Sequence, residues 1–403
     1  MNYKCETCEK LFTEKGKYTR HINTTLCKDG NNIVKKYVKK IIEEKVQPIK
    51  EKEDKIIVSK PILKWVGGKT QILDKLINKN FPKEINNYHE IFLGGGSVLL
   101  ALLSYIKQGI IKINGNVYAY DLNESLIYLY KNIQTHHNEL YDNIQKLIKD
   151  YYECPDIKET GTGTKEVNEI VNDVNKIKKE DKKKRKILIT PKNLVEAKVS
   201  REYYYYWIRS EYNRLSLMDK KEIDVSAMFV FLNKTCFRGV FRIGPNGFNV
   251  PYGHYDYPEI INKEYLDEIH ELIQNVIFEC CDFTKSLSII ENNDYVYLDP
   301  PYNKEVDTSF VGYTENGFGI ETHTNLFDLC NELNDKKIKF MMSNSNTELV
   351  KQHFPEEKNY NIEVITAKRS INSKNPGSKT TEVIIRNYEE DKDEEDKYLI
   401  INP

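Results

Sequence analysis

Residues 92–97 read Phe-Leu-Gly-Gly-Gly-Ser, with three consecutive glycines at the end of an apolar run. Residues 90–93 have the texture of a short buried strand, and residues 97–106 have the apolar spacing of a helix. Another apolar stretch, residues 116–120, follows as the next strand and leads to Asp121. This order predicts a β-α-β unit whose glycines let the backbone and the helix amino terminus approach a ligand.

The acid after the second strand suggests the kind of ligand. Asp121 follows the glycine turn by about one β-α-β unit, where an acid reaches ribose hydroxyls. The dinucleotide pattern is not met, and the lysine and Ser/Thr of a phosphate loop are missing. An adenosine cofactor without a long phosphate arm therefore fits better than NAD or ATP. Residues 64–69 (KWVGGK) form a second glycine turn, which by itself is equally consistent with a surface turn.

Residues 297–302 (YLDPPY) place an acid, two prolines and a ring after another apolar strand. The amine of adenine is a poor nucleophile because its lone pair is delocalised into the ring. If Asp299 and the carbonyl of Pro300 each accepted one N–H hydrogen bond, that lone pair would point at an electrophilic methyl group. Pro300 and Pro301 fix the loop, and Tyr302 offers a stacking face for a base flipped out of a duplex. A plain proline-terminated strand would need neither acid nor ring.

A basic and aromatic region separates these two parts. Residues 203–213 place aromatic and apolar side chains at helical spacing, and we assign most of the rings to core packing. We expect Arg209 and Arg214 to be free for phosphates. Residues 232–242 and 247–255 have glycine-punctuated β texture with arginines and aromatics, which suits a hairpin entering a DNA groove. A purely structural hairpin is the alternative.

In this order the motifs resemble the Dam-type (D12 class, α group) N6-adenine-specific DNA methyltransferases. The resemblance runs from about residue 62 to residue 387, interrupted by a polar insertion. It implies an α/β fold with the Rossmann-like sheet of S-adenosylmethionine-dependent methyltransferases, a closing antiparallel hairpin, and a helical and β-hairpin target-recognition subdomain. It also implies S-adenosylmethionine as the methyl donor. The catalytic residues would be Asp299, Pro300, Pro301 and Tyr302.

The resemblance further implies contacts with the cofactor and with a GATC site in DNA. The implied cofactor contacts are Trp65, Lys69, Phe92, Gly94, Gly95, Gly96, Asp121, Asp282, Phe283 and Asp299. The candidate DNA contacts are Lys64, Phe237, Arg238, Val240, Arg242, Pro251, Tyr255 and Arg369. Among them Phe237 is a candidate wedge between base pairs, and Arg242 would read guanine. Arg238 departs from the family, which usually carries a small polar amide there.

The first thirty residues carry a separate Cys/His motif. Four residues have the spacing of zinc ligands: Cys5, Cys8, His21 and Cys27. Phe12 and Tyr18 take the positions of the two core residues of a ββα finger, and a unit this small cannot fold on its apolar area alone. The motif resembles the Cys2His2 zinc-finger family, with Cys27 replacing the second histidine. We expect a structural zinc ion and leave open whether the finger contacts DNA or a protein.

Composition limits the remaining possibilities. The chain has 403 residues, which favours two or three modules, and a net charge of -1, which is neutral on nucleic-acid binding. The eight cysteines form no disulfide framework, and no apolar run reaches the ~18–20 residues of a membrane span. We therefore expect an intracellular protein located with the DNA. The predicted divisions are a zinc finger (1–30), a charged linker (31–59), a catalytic domain (60–150 and 276–388), a polar insertion (151–195), a target-recognition domain (196–275) and an acidic tail (389–403).

The motifs together predict transfer of a methyl group to N6 of a flipped adenine in duplex DNA, at GATC. Two alternatives stay open: methylation of another nucleic-acid site (RNA or cytosine N4), and a catalytically inactive DNA-binding regulator. The acid at Asp299 favours adenine, because an amide or serine is commoner there in cytosine-N4 enzymes. S-adenosylmethionine and double-stranded DNA are the predicted partners, with a companion restriction endonuclease left open and no metal serving the chemistry.

Overall fold

The structure is a computed structural model that describes residues 3–4, 11–23, 56–155, 191–216, 218–303, 318–368, 379–389 and 399–401. The chain divides into two compact units, residues 1–55 and 56–403. Several predicted features lie outside the described residues: Cys5, Cys8, Cys27, Arg369, most of the linker, residues 156–190 of the insertion and most of the acidic tail.

The strands and helices are as follows. The strands are β1 (Tyr3–Lys4), β2 (Leu11–Phe12), β3 (Ile56–Val58), β4 (Glu84–Ile85), β5 (Tyr88–Glu90), β6 (Lys112–Ile113), β7 (Val117–Asp121), β8 (Ile243–Gly244), β9 (Gly247–Phe248), β10 (Val276–Cys280), β11 (Tyr295–Leu298), β12 (Lys339–Ser345), β13 (Asn361–Lys368), β14 (Lys379–Arg386) and β15 (Leu399–Ile401). The α-helices are α1 (Lys15–Asn23), α2 (Ser97–Lys107), α3 (Glu124–Glu153), α4 (Leu194–Ala197), α5 (Arg201–Arg214), α6 (Ile223–Thr235), α7 (Lys263–Leu272), α8 (Phe283–Ser288), α9 (Ile320–Asp335) and α10 (Glu348–His353). Short π or 3₁₀ segments are Asp74–Asn78, Met218–Lys221, Phe237–Gly239 and Glu356–Lys358.

Seven strands form one sheet in the order β10-β7-β5-β11-β12-β14-β13. Neighbouring strands from β10 to β12 are parallel, whereas β14 is antiparallel to both β12 and β13. The four residues of β11 are all buried, as expected for a parallel strand that is covered on both faces. The fold is therefore α/β with a mostly parallel central sheet, as predicted.

The strand order reverses between β5 and β11. In the chain, β5 is followed by β7 and β10 on one side, while β11 and β12 lie on the other side. Parallel strands end at the same edge, and in open α/β sheets ligands bind at that edge where the order reverses. The loop after β5 carries the three glycines, and the loop after β11 carries Asp-Pro-Pro-Tyr. The topology thus brings the two motifs together.

One boundary of the predicted β-α-β unit is wrong. The first strand is β5, not residues 90–93, because the sheet ladder ends at Glu90. The N–H of Ile91 still donates to the carbonyl of Tyr297 at 3.0 Å, but the N–H of Leu93 donates to Tyr120 as the chain leaves the sheet. Gly94 follows with φ of 50°, which an extended strand cannot continue.

The start of the recognition region, predicted as β structure from residue 232, is also different in the structure. Residues 232–235 are the last turn of α6 and not β structure. Nine residues of α6 are buried, so this apolar run is a helix enclosed on most sides, a pattern that resembles a buried strand in sequence. The hairpin itself is short, consisting of β8 and β9 and a bridge between Cys236 and Tyr252.

Most of the aromatic rings of α5 pack in the core, as predicted. One of its two arginines, however, is not free to contact phosphates as expected. Four tyrosines of this helix are buried: Tyr203, Tyr204, Tyr205 and Tyr212. Arg209 is also buried, and its guanidinium donates to the carbonyl of Val250 at 3.0 Å and lies over Tyr206. Because its N–H groups are used inside the subdomain, Arg209 supports the hairpin and is not free for DNA phosphates.

The amino-terminal unit consists of β1 and β2, which pair antiparallel, followed by α1. The ring of Phe12 lies 6.1 Å from Tyr18 and 4.7 Å from His21, centroid to centroid. Among the described residues, no group of three or more His, Cys, Asp or Glu side chains is placed to hold a metal ion. Three of the four predicted ligands lie outside those residues, so the zinc site stays a prediction.

Candidate active site

Asp299 lies directly after β11 and is paired with Lys69. The Nζ of Lys69 is 2.8 Å from Oδ1 of Asp299, and the two side chains are 4% and 18% exposed. Lys69 also donates to the carbonyl of Gly67 at 2.7 Å, while its backbone N–H donates to Oγ of Ser97 at 3.1 Å. The KWVGGK turn is thus fixed to the start of α2, and its lysine is delivered to the Asp-Pro-Pro-Tyr loop.

Burial raises the pKa of Asp299 to about 6, although the ammonium group of Lys69 opposes the shift. A carboxyl group in a poorly solvated site disfavours its charged form, and a nearby cation favours it. Without the lysine, burial would raise the pKa further. Lys69 therefore keeps Asp299 ionised near neutral pH, the form that accepts two hydrogen bonds and carries charge.

A second acid, Glu90, is buried at the end of β5; it begins the predicted strand 90–93 but is not among the predicted site residues. Its carboxyl group accepts a hydrogen bond from the hydroxyl of Tyr88 at 2.8 Å. Burial raises the pKa of Glu90 to about 8; the hydrogen bond from Tyr88 lowers it, and the charge of Asp299 raises it. Near neutral pH the site therefore holds one neutral and one ionised carboxyl group. An acid shortly before a glycine turn was the signal available in the sequence.

Tyr302 is held in place from two directions. Its hydroxyl donates to Oε2 of Glu382 on β14 at 3.0 Å. The ammonium group of Lys69 lies 4.8 Å from the centre of the ring. The ring is therefore oriented before any base arrives, in part by Glu382, which belongs to none of the sequence motifs.

The backbone around the catalytic loop is anchored to the neighbouring elements. Nε2 of buried His323, on α9, lies 3.0 Å from the carbonyl oxygen of Pro301, and Nδ1 of the same ring lies 2.8 Å from that of Gly319. The N–H of Asn303 donates to Oδ1 of Asn344 at 3.2 Å, and its carbonyl accepts from the hydroxyl of Ser345 at 2.6 Å. These contacts fix the loop at its third and fifth residues, so that the carboxylate and ring are preorganised.

The glycine turn is packed tightly on both sides. A Cβ at Gly95 would lie 2.8 Å from Cβ of Trp65, and one at Gly94 would lie 3.0 Å from the indole ring. The hydroxyl of Tyr130 donates to the carbonyl of Gly95 at 2.8 Å. The carboxylate of Asp121 accepts the N–H of Gly94 at 2.9 Å. In this structure the predicted cofactor residues Trp65 and Asp121 thus shape the turn itself.

The opposite wall of the same edge is aromatic. Phe92 lies 5.8 Å from Phe283 and 6.1 Å from Phe318, measured between ring centres. Asp282 is exposed and accepts the N–H of Thr284 at 2.9 Å, which caps α8. The residue at the cap position of α2, Gly96, has no side chain with which to cap the helix. An apolar ring face, an uncapped helix terminus and an acid fit an adenosine cofactor.

The predicted DNA contacts lie around α6 and the short hairpin. Phe237 is 47% exposed, and Arg238, with φ of 59°, is exposed and lies over its ring. The guanidinium of Arg242 is exposed and donates to Oδ1 of Asn249 at 2.6 Å. The ammonium group of Lys64 lies 5.3 Å from the ring of Tyr255.

Two further candidates, Pro251 and Val240, contribute to the structure of this region. Pro251 is exposed, and its carbonyl accepts the N–H of Phe237 at 2.8 Å. Val240 is half-buried, and it packs against the core. Seven candidates thus belong to two segments of the chain that both lie beside α6. The first contains Lys64, and the second contains Phe237, Arg238, Val240, Arg242, Pro251 and Tyr255. Arg369, the eighth candidate, lies outside the described residues.

A sheet of this topology, with a glycine turn and an Asp-Pro-Pro-Tyr loop at its reversal point, defines an S-adenosylmethionine-dependent methyltransferase that acts on an amine. Comparison with known proteins agrees. The family model of the D12 class N6 adenine-specific DNA methyltransferases matches residues 65–190 and 167–371. The chain belongs to this family, and it is an adenine-specific DNA methyltransferase.

Full-length relatives support the assignment. The chain is 32% identical to the type II methyltransferase M.MjaIII of Methanocaldococcus jannaschii, over 82% of this chain and 99% of that protein. It is 29% identical to a DNA adenine methylase of Haemophilus influenzae, over 83% of this chain and 94% of that protein. It is 26% identical to the DNA adenine methylase of Escherichia coli K12, over 82% and 95%. Adenine in DNA is thus confirmed over the RNA, cytosine-N4 and inactive-regulator alternatives.

The described helices include none with the length and apolar character that a membrane span requires.

Proposed function

We propose that the enzyme methylates N6 of the adenine in GATC sites of duplex DNA, using Asp299 and Tyr302 on a flipped base. The observation that carries the proposal is the buried pair of Asp299 and Lys69 beside an oriented tyrosine ring. S-adenosylmethionine supplies an electrophilic methyl group when it is bound. The chain's own residues then have to select the base, hold its amine and keep water out.

The amine is activated by hydrogen bonding. Ionised Asp299 accepts one N–H of the adenine amine, and the carbonyl of Pro300 accepts the other. The nitrogen lone pair is then withdrawn from the ring and directed toward the methyl group. The contact of the His323 ring with the carbonyl of Pro301 helps to keep the loop in the shape this needs. Tyr302 stacks on the flipped base and replaces part of its lost stacking energy.

The cofactor is assigned to the glycine turn and the aromatic wall. The residues proposed to hold it are Trp65, Lys69, Phe92, Gly94, Gly95, Gly96, Asp121, Asp282, Phe283 and Asp299. The fit rests on the uncapped start of α2 and on the three phenylalanine rings described above. Trp65 and Asp121 would act mainly through the turn that they shape, since both contact it directly.

The GATC assignment rests on Arg242, which is exposed on the hairpin and braced by Asn249. A bidentate arginine–guanine contact gives about 1–3 kcal/mol of discrimination against another base. We expect labelled methyl groups to enter a GATC duplex and not one whose guanine is replaced by adenine. The variant Arg242→Ala should transfer fewer labelled methyl groups to the GATC duplex, so that the difference in labelling between the two duplexes becomes smaller. Equal labelling of both duplexes by the unmodified enzyme would refute the GATC assignment.

The pH dependence of kcat/KM should report Asp299. Because the carboxylate is the active form and its pKa is raised to about 6, we expect kcat/KM to rise with pH through about 6. Lys69 lowers this pKa, so Lys69→Met should move the rise to higher pH. The matched control is Lys112→Met, whose Nζ is also 2.8 Å from a carboxylate, that of Glu84, but on an exposed surface. An unchanged midpoint in Lys69→Met would show that another group controls the profile.

We propose that the amino-terminal unit is a zinc finger, with Cys5, Cys8, His21 and Cys27 as ligands of a structural zinc ion. The order β1, β2, α1 and the contact between Phe12 and His21 support this proposal. One zinc ion per chain is expected by elemental analysis of the purified protein, falling to none in a form lacking residues 1–30. Zinc retained by the shortened form would refute the ligand assignment.

We also propose that the enzyme works beside a restriction endonuclease, because its relative M.MjaIII is named a type II methyltransferase. DNA from cells that express the enzyme should then resist an endonuclease that cuts unmethylated GATC. Full cleavage of that DNA would refute methylation at GATC, and a host extract that does not cut unmethylated GATC DNA would contradict the companion endonuclease.

A further inference from the structure

The dipeptide Lys64-Trp65 lies between the cofactor turn and the recognition segment. On one side the indole of Trp65 packs against Gly94 and Gly95, at the distances given above. On the other side it stacks on Phe241, with ring centres 5.2 Å apart and planes 14° apart. A single side chain therefore touches the predicted cofactor site and the start of the DNA-binding hairpin.

The backbone of Lys64 is held by Asn233, a residue of α6 that is 1% exposed. The Oδ1 of Asn233 accepts the N–H of Lys64 at 2.9 Å. Its Nδ2 donates to the carbonyl of Lys64 at 2.9 Å and to the carbonyl of Gly239 at 3.2 Å. Through these three hydrogen bonds, the side-chain amide of Asn233 connects Lys64, in the cofactor half of the chain, to Gly239, in the recognition segment.

The same two segments are also interlocked sterically. Gly239 has φ of 64°, and a Cβ there would lie 2.6 Å from Cβ of Lys64. The ammonium group of Lys64 reaches the ring of Tyr255 on the far side of the hairpin. There is thus no room for a side chain at position 239 beside Lys64, and a displacement of Lys64-Trp65 is passed to Gly239 through the hydrogen bonds of Asn233.

We infer that Asn233 is a positioning residue that couples cofactor binding at the glycine turn to recognition of the DNA site. The inference rests on the proposed function, because it takes the cofactor and DNA sites from there. A ligand that fixes the glycine turn fixes Trp65, and through Asn233 it fixes the position of Gly239 and Lys64 toward the DNA. Such coupling is reciprocal, and typical factors are roughly 5–150-fold in affinity.

The chain provides a matched control in Asn213. Its Oδ1 accepts the N–H of Phe248 at 2.8 Å and its Nδ2 donates to the carbonyl of Phe248 at 2.9 Å. This amide makes the same paired contact with one backbone residue, but it connects α5 to β9 inside the recognition region. Loss of Asn213 should loosen the hairpin without separating it from the cofactor turn.

The test is the dissociation constant of S-adenosylhomocysteine, which has no methyl group to transfer, with and without a saturating GATC duplex. In the unmodified enzyme we expect the duplex to tighten the binding of S-adenosylhomocysteine by a factor of roughly 5–150. In Asn233→Ala the factor should fall toward 1, with both ligands still bound separately. In Asn213→Ala the duplex should bind more weakly but retain its effect on the cofactor product.

Each result distinguishes the inference from the function on which it rests. The role of Asn233 would be overturned if the duplex tightened S-adenosylhomocysteine binding as much in Asn233→Ala as in the unmodified enzyme. It would also be overturned if Asn213→Ala lost this effect to the same extent as Asn233→Ala. Either result would leave the proposed sites intact. Failure of the unmodified enzyme to bind either ligand would overturn the proposed sites. If Asn233→Ala does not fold, Gly239→Ala disturbs the same junction at the other end of the Asn233 hydrogen bonds and should show the same reduced factor; a normal factor there would count against the inference.

Discussion

Replacing Asp299 by asparagine is expected to lower the rate of methyl transfer by roughly 10²–10⁴-fold, the range found for groups that handle protons or hydrogen bonds in a transition state. The amide keeps the shape of the side chain but loses the charge that attracts the amine hydrogens as positive charge develops on nitrogen. It also leaves Lys69, which is 4% exposed, without its counter-ion 2.8 Å away. A cation next to the attacking nitrogen opposes the reaction further.

The measurement is single-turnover methylation of a GATC duplex at saturating S-adenosylmethionine, with duplex affinity measured separately. Affinity for DNA should change little, because Asp299 lies after β11 and not on the hairpin. Asp219→Asn serves as the control, since that acid is exposed and bonds Ser216 in its own surface turn. If Asp299→Asn turns over within tenfold of the unmodified enzyme, the carboxylate is not what activates the amine.

The location of the site could be predicted from the sequence because parallel strands end at one edge. Once residues 92–97 and 297–302 are placed after strands of the same sheet, the glycine turn and the acid must be close. The prediction survives a displaced boundary, since β5 ends before residue 91 and the glycines still follow it. The short-range signals of glycine, proline and an adjacent acid are therefore enough to bring the two motifs of the candidate active site to one edge of the sheet.

The residues that support this centre could not be predicted, because their partners are distant in the chain. Asn233 is 169 residues from Lys64, and Glu382 is 80 residues from Tyr302. Asn233 lies in the predicted recognition segment 232–242 but has no role assigned there, and Glu382 lies outside every motif. Only tertiary packing determines which backbone group or hydroxyl each one meets. Residues 232–235 are assigned to β structure from the sequence for a related reason: they end α6, and the buried apolar residues of that helix carry no periodicity that separates helix from strand.

Gly96→Ala should be among the most destabilising single substitutions in the residues that the structure describes. Gly96 has φ of 74°, and a non-glycine residue there costs about 1–3 kcal/mol of strain. The new Cβ would also collide with the hydroxyl oxygen of Tyr130 and lie 3.0 Å from its Cζ. Overlap in a packed interior costs about 1–3 kcal/mol more. Because Tyr130 also bonds the carbonyl of Gly95, relief of the overlap would disturb the whole turn.

Two further variants separate the strain from the overlap. Gly109 has φ of 72°, but a Cβ there would meet no atom of the described residues within 4 Å, so Gly109→Ala should show the conformational cost alone. Adding Tyr130→Phe to Gly96→Ala removes the colliding oxygen and should recover part of the loss. Urea unfolding followed by tryptophan fluorescence gives the comparison, since Trp65 rests on this turn. If Gly96→Ala is no more destabilising than Gly109→Ala, the glycine turn can shift to accommodate the alanine side chain, and Tyr130 does not prevent that shift.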